Sequence, residues 1–211
     1  MQELVNEIEA VLAARHTPEV QQKIKKSCIG IAGAGGLGSH VAVALARIGI
    51  GRLVVADFDL VETSNLNRQY YFIDQVGMPK VQALQETIKR INPGVDFVAV
   101  HEKIIPANLK KHFSSLDIMV EAFDDADQKA LLISHFLREF SQIPLVAASG
   151  MAGFAPSNMI ATRRVANNLY LCGDGVTAAR PGQGLMAPRV GIAAHHQANA
   201  VLRLLLGEEP E

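Results

Sequence analysis

Residues Ile29 to Asp59 read IGIAGAGGLGSHVAVALARIGIGRLVVADFD. A short apolar run is cut by a glycine cluster, continues as small and apolar residues at helical spacing, and ends in a second apolar run closed by acids. Strand, tight turn, helix and strand follow in order, so the stretch is a β-α-β unit and its two strands are expected to lie parallel with a right-handed crossover. Gly33, Gly35 and Gly38 satisfy G-x-G-x-x-G, and Asp57 ends the second strand about twenty residues later. Glycines at those places let the backbone close on a phosphate. The helix behind them offers free N–H groups and the positive end of its dipole, and the acid can accept from ribose hydroxyls. The alternative is a tight strand-to-helix packing that binds nothing.

The alternation continues along the chain. PKVQALQETIKRIN places Val81, Leu84, Ile88 and Ile91 on one helical face, and VDFVAVHEKI follows as a strand. PANLKKHF is a short helix, LDIMVEAF a buried strand, DQKALLISHFLREF a helix and IPLVAASG another strand. From Met151 the pattern changes: NMIATRRV and NNLYLC form a strand pair, GDGVTAARPGQG is a loop, and APRVGIAAHHQANAVLRLLLG is a final helix closed by Gly207. The fold class that follows is α/β: a Rossmann-like, doubly wound, mostly parallel sheet with a C-terminal antiparallel strand pair and a closing helix. The 211 residues fit one domain. It divides into an N-terminal helical segment (1–25), a nucleotide-binding core (26–150) and a C-terminal part (151–211) of strands, loop and helix.

Composition excludes several function classes. With 49% apolar and 19% charged residues the chain can bury a core. The formal net charge is −1 and KIKK at Lys23 to Lys26 is an isolated basic cluster, so nucleic acid is not an expected partner. The two cysteines, Cys28 and Cys172, stand far apart and outside any C-x-x-C pair. That pattern supports neither a disulfide framework nor a four-thiolate zinc site. MQELVNEIEAVLAAR is acidic with apolar residues at helical spacing, unlike a signal peptide, and the uncharged run Cys28 to Ala46 is broken by glycines, unlike a membrane span. A cytoplasmic location is expected.

The glycine loop does not choose between a dinucleotide and ATP, because both present a ribose and phosphates. The segment after the acid, VETSNLNRQYYFIDQVGMPK, holds Asn65, Arg68 and Lys80. A pyrophosphate can be held by backbone amides alone, whereas cleaving a triphosphate requires cations on the charge that develops at phosphorus. Arg68 can grip two oxygens and Lys80 supplies a point charge. VEAFDDAD ends a buried strand with Asp124, Asp125 and Asp127, oxygens of the kind Mg²⁺ takes beside phosphates. Either Asp124 or Asp125 can instead cap the next helix.

Taken together, GAGGLGS, VVADFDLVETSNLNRQYYF, GMPKVQAL, INP and VEAFDDAD resemble the bacterial adenylyltransferases of ubiquitin-activating type, the ThiF, MoeB and HesA group, over roughly Lys26 to Gly153. AASGMAGF, LYLCGDG and GLMAPRV are similar to a shorter ThiF-like subgroup. The resemblance implies adenylylation of the C-terminal glycine carboxylate of a small ubiquitin-fold sulfur carrier ending in Gly-Gly, with ATP and Mg²⁺, in thiamine biosynthesis or a related sulfur transfer. It implies a nucleotide set of Gly33, Gly35, Gly36, Gly38, Asp57, Asp59, Ser64, Asn65, Arg68, Gln69, Lys80, Asp124 and Asp125. Within it Arg68 and Lys80 act on the phosphates and Asp124 on Mg²⁺. It further implies a homodimer in which an N-terminal arginine reaches the partner's triphosphate, with Arg15 as the candidate, although ARHTPEVQQK lacks the usual wording.

Two departures matter. The paired C-x-x-C motifs of many relatives are missing, so no zinc is expected, and Asp125 stands where the family commonly has Asn. Cys172 is a candidate acceptor thiol in a glycine-rich loop; its alternative is a small buried residue ending a strand. Met151 and Phe154 line a channel for the carrier tail or pack in the core. Arg163 and Arg164 are a carrier contact or an ordinary solvated face, and His195 and His196, about 100° apart on the last helix, do not make a metal site. Two other function classes stay open. A NAD-dependent oxidoreductase shares the fold but lacks a hydride-transfer constellation here, and a non-catalytic nucleotide-binding module would bind ATP without turnover.

Overall fold

The computed structural model describes residues 2–210; Met1 and Glu211, the outer ends of the segments 1–25 and 151–211, lie outside the described residues. The chain runs α1 (Gln2–His16), α2 (Pro18–Lys26), β1 (Cys28–Ala32), α3 (Gly36–Arg47), β2 (Arg52–Ala56), α4 (Lys80–Ile91), β3 (Asp96–Val100), α5 (Leu109–Phe113), β4 (Ile118–Glu121), α6 (Ala126–Glu139), β5 (Leu145–Ala148), β6 (Ala161–Ala166), β7 (Leu169–Gly173) and α7 (Ala187–Leu206). The N-terminal segment is two helices rather than one. Pro18 cannot continue α1, and Thr17 before it takes φ +74°, an uncommon conformation for a residue with a Cβ, while its hydroxyl accepts from Val20 N–H.

Seven strands form one sheet in the order β3-β2-β1-β4-β5-β7-β6. Each neighbouring pair is parallel except β6 with β7. Alternate residues of the parallel strands feed opposite faces. Ile29, Ile31, Leu53, Val55, Ile118 and Val120 pack beneath α3, α4 and α7, while Val54, Ala56, Met119, Leu145 and Ala147 pack with Phe113 of α5 and Phe136 of α6. The sheet is therefore covered on both sides, which is why its strands read as continuous apolar runs. The strand order reverses between β1 and β4, and a crevice opens at their carboxyl ends. Among the described residues no helix is long and apolar enough to cross a membrane.

Candidate functional site

A cavity of about 590 Å³ lies over the carboxyl ends of β1, β2, β4 and β5, within the size range of small-molecule sites. Its floor is the glycine turn. Gly33, Gly35 and Gly36 line it, and α3 starts at Gly36, so its free N–H groups stand at the cavity. The turn is held from two sides: Asp57 Oδ2 accepts from Ala34 N–H at 2.7 Å, and Tyr71 donates its hydroxyl to Ala34 O at 2.6 Å. Asp57 Oδ1 accepts from Asp59 N–H at 2.8 Å. Burial raises the Asp57 carboxyl above its ordinary value against these bonds and the nearby Lys80. Gly38 does not line the cavity. A Cβ there would stand 1.8 Å from Gly33 O, so this glycine serves the close packing of helix on turn.

Arg68, Gln69 and Lys80 reach the same cavity from the connection between β2 and α4. Lys80 opens α4; its side chain is 7% exposed and Nζ lies 2.7 Å from Asp59 Oδ2. Arg68 donates from Nη1 to Ser64 O at 3.2 Å and to Asn67 Oδ1 at 2.8 Å. Arg68 Nε and Gln69 Oε1 are buried with no hydrogen-bond partner among the described residues, which marks a place where polar atoms are left for a ligand. His40 Nε2 donates to Arg68 O at 3.2 Å, and burial lowers the His40 imidazole below its ordinary value.

Ser64 and Asn65 are not brought to the cavity wall. Asn65 Oδ1 accepts from Glu62 N–H at 3.0 Å and Ser64 donates to the Glu62 carboxylate at 3.0 Å, so both side chains close the short 3₁₀ turn Thr63–Asn65 instead. On the far wall Asp124 is exposed and lines the cavity, whereas Asp125, also at the wall, is the cap of α6 and accepts from Gln128 N–H at 2.8 Å. Arg15 is exposed on α1 and outside the cavity wall.

Cys172 is not the exposed loop thiol that the glycine-rich context suggested. It belongs to β7, pairs in register with Ala148 and Thr162, and is 0% exposed. Burial pushes its thiol up to about 11 against a weak contact to the Thr162 hydroxyl. Met151 lines the cavity and Phe154 is 74% exposed beside it. Arg164 bonds Asn167 O and Glu209, and His196 meets the Thr162 hydroxyl at 3.0 Å. Among the described residues no three His, Cys, Asp or Glu side chains gather as a metal site.

One feature of the wall had a weak signal in the sequence. Glu121, fully buried at the end of β4, bonds Lys129 of α6, which also donates to Ala148 O at 2.8 Å and lines the cavity. An acid inside the apolar run IMVE and a lysine four residues after the cap Asp125 were the only trace.

A model of the ThiF family matches residues 9–211. The sulfur carrier protein ThiS adenylyltransferase of Escherichia coli (strain K12) is 31% identical over 194 residues, 90% of this chain and 76% of that protein. The molybdopterin-synthase adenylyltransferase of the same organism is 30% identical over 199 residues, 89% of this chain and 76% of that protein. Its tRNA threonylcarbamoyladenosine dehydratase is 37% identical over 125 residues, 58% of this chain and 46% of that protein. Among solved structures, the E. coli dehydratase in complex with ATP has a TM-score of 0.85 at 24% identity over 95% of this chain and 94% of the other, a likeness of fold. The glycine turn, the basic connection and the acids after β4 thus occur on a chain that the family model covers almost throughout: the chain belongs to the ThiF family.

Proposed function

We propose that the chain is an ATP-dependent adenylyltransferase that activates the C-terminal glycine carboxylate of a small ubiquitin-fold sulfur carrier of the ThiS kind, in thiamine biosynthesis or a related sulfur transfer. The observation that carries the reading is the convergence of the α3 N-terminus, Arg68, Lys80 and Asp124 on one cavity. A dinucleotide would leave the two cations and the unpaired Arg68 Nε without a task.

In this reading the ribose lies at Asp57, whose oxygens each hold one backbone amide and keep lone pairs for hydroxyls. The phosphates lie over Gly35, Gly36 and the first turn of α3. Lys80 keeps donors free beyond its bond to Asp59, and Arg68 turns Nε to the α-phosphate. A carboxylate oxygen of the carrier attacks the α-phosphorus; the new O–P bond forms as the bond to the bridging oxygen breaks, and the electron pair leaves with pyrophosphate. The attacking carboxylate is already ionised, so the step transfers no proton. Arg68 and Lys80 meet charge that grows on the phosphoryl oxygens, where fixed donors act most strongly. Asp124, an exposed carboxylate at the wall, fits one ligand position of Mg²⁺ beside phosphate oxygens, and the bound ion would neutralise part of the triphosphate charge. The same reading carries a homodimer in which Arg15 of one copy reaches the other's triphosphate.

The test is exchange of labelled pyrophosphate into ATP, run with ThiS and with no carrier. Exchange that requires ThiS supports the reading; ATP binding with no exchange counts against it. A second reading, dehydration of threonylcarbamoyladenosine in tRNA, is favoured by the 37% identity to the dehydratase. A threonylcarbamoyl group also ends in a carboxylate, so the same activation serves both. The net charge of −1 speaks against a polyanionic partner. Exchange that depends on threonylcarbamoylated tRNA instead of ThiS would select this second reading.

A further inference from the structure

Behind the cavity lies an ion pair that the reaction above does not use. Arg189 Nη2 and Asp174 Oδ2 are 2.6 Å apart, with side chains 4% and 1% exposed. Neither residue is in the cavity wall. Removing two charges from water is costly, and it is repaid only where the geometry is good and further hydrogen bonds satisfy both groups.

Its bonds run to three separate pieces of chain. Arg189, in the first turn of α7, donates from Nη1 to the carbonyls of Ala155 at 2.6 Å and Pro156 at 3.0 Å. Asp174, just past β7, accepts from the N–H groups of Val176 at 2.9 Å and Thr177 at 2.8 Å, and from the Thr177 hydroxyl at 2.8 Å. The backbone adds to the tie: Asp174 N–H donates to Gly150 O at 2.9 Å and Gly175 N–H to Ser149 O at 3.0 Å. The two strands of loop run so close that a Cβ on Gly150 would stand 2.1 Å from Asp174 Oδ1. One guanidinium and one carboxylate thus fasten the loop after β5, the turn after β7 and the start of α7 to one another.

Each of these pieces supplies cavity wall: residues 149–152, residues 177–179 and Val190. These wall residues are uncharged and mostly small, whereas Arg68, Lys80, Asp57 and Asp124 bring charge to other parts of the wall, and Val190 stands at the border, beside Gly36. The charged part suits the nucleotide and the neutral part suits a narrow, uncharged chain that ends in a carboxylate. We propose that Asp174 and Arg189 are positioning residues for the acyl substrate: they hold the neutral wall in the shape that admits an extended chain terminus, and leave the nucleotide half of the cavity to the glycine turn. The inference rests on the adenylyltransferase reading.

The test compares the full chain with Arg189→Lys, which keeps the charge and loses the two-handed reach, and with Asp174→Asn as a second, isosteric variant. Amide hydrogen exchange reads the loops without any substrate, and ThiS serves as the acyl probe. The expected result is at least tenfold faster exchange in residues 153–159 and 174–179, unchanged exchange in residues 29–57, a tenfold or larger rise in KM for ThiS, and an ATP Kd within twofold of the parent. Unchanged loop exchange, an unchanged KM in a parent that uses ThiS, or a loss of ATP affinity equal to the rise in KM would each overturn the proposal. A parent that shows loop protection yet activates neither ThiS nor threonylcarbamoylated tRNA overturns the adenylyltransferase reading instead, and with it the acyl role of the pair.

Discussion

Replacing Arg68 by alanine separates chemistry from folding and from ground-state binding. In the folded chain its Nη1 donates to Ser64 O and to Asn67 Oδ1, contacts worth about 0.5–1.5 kcal/mol each at most. Its Nε is buried without a partner, and deleting such an atom returns about 1–3 kcal/mol of desolvation cost. The two terms oppose each other, so the variant should stay within about 1 kcal/mol of the parent, a shift of roughly 2–4 °C in Tm for a domain of this size. The catalytic loss is of another order. A fixed donor placed on developing charge is worth roughly 10²–10³ in rate, about 2.7–4 kcal/mol. Single-turnover formation of pyrophosphate should therefore fall by that factor, while the ATP Kd from calorimetry changes by less than about tenfold, since interactions confined to the transition state alter rate and not binding. Equal losses in rate and in ATP affinity would refute the assignment of Arg68 to the transition state, and a collapse in Tm would refute the stability argument.

Other perturbations follow from the geometry. Gly38→Ala forces a Cβ to 1.8 Å from Gly33 O, a backbone atom that cannot move aside alone, so the variant should lose about 1–3 kcal/mol or more and weaken ATP binding; a parent-like Tm and Kd would show that the turn tolerates a side chain. Cys172, buried with its thiol pushed up to about 11, should resist iodoacetamide at pH 7.5 in the folded chain and react after unfolding, and fast labelling of the native protein would overturn its placement in the core. Asp174 is raised by burial, but bonds from Thr177 and Val176 and the Arg189 charge leave its carboxyl below the ordinary value. A lowered folded value means that its stabilisation is full above the unfolded pKa of about 3.9 and is lost as pH falls through the folded one. In urea titrations the stability gap between the parent and Asp174→Asn should be widest near neutrality and close below about pH 4, and a gap that widens on acidification would contradict the sign.

The fold was legible because its signals are local. Apolar runs alternating with amphipathic helices, a glycine cluster between the first two, and a change of pattern after Met151 specify a doubly wound sheet with an antiparallel edge, and the sheet order agrees. Pro18 divides the N-terminal segment into two helices, and the helical spacing read in MQELVNEIEAVLAAR reached only the first of them. The site was legible in part. Gly33, Gly35, Gly36, Asp57, Asp59, Arg68, Gln69, Lys80, Asp124 and Asp125 do share one cavity wall. Ser64 and Asn65 do not, because a polar side chain in a turn can satisfy its own backbone as readily as a ligand, and sequence does not say which it does. The pairs Glu121–Lys129 and Asp174–Arg189 were hidden for a different reason. Their members sit on different elements and meet only once strands and helices are packed. Cys172 ended the strand NNLYLC with two readings open, and pairing with strands on both sides of β7 selects the buried one.

The central claim is that a carboxylate takes AMP from ATP in this cavity. The direct measurement is intact mass spectrometry of ThiS after incubation with the protein, ATP and Mg²⁺, with the released phosphates identified in parallel. A ThiS chain heavier by one AMP, together with stoichiometric pyrophosphate, is the result the proposed function predicts. Unmodified ThiS with ADP and phosphate as products would contradict it.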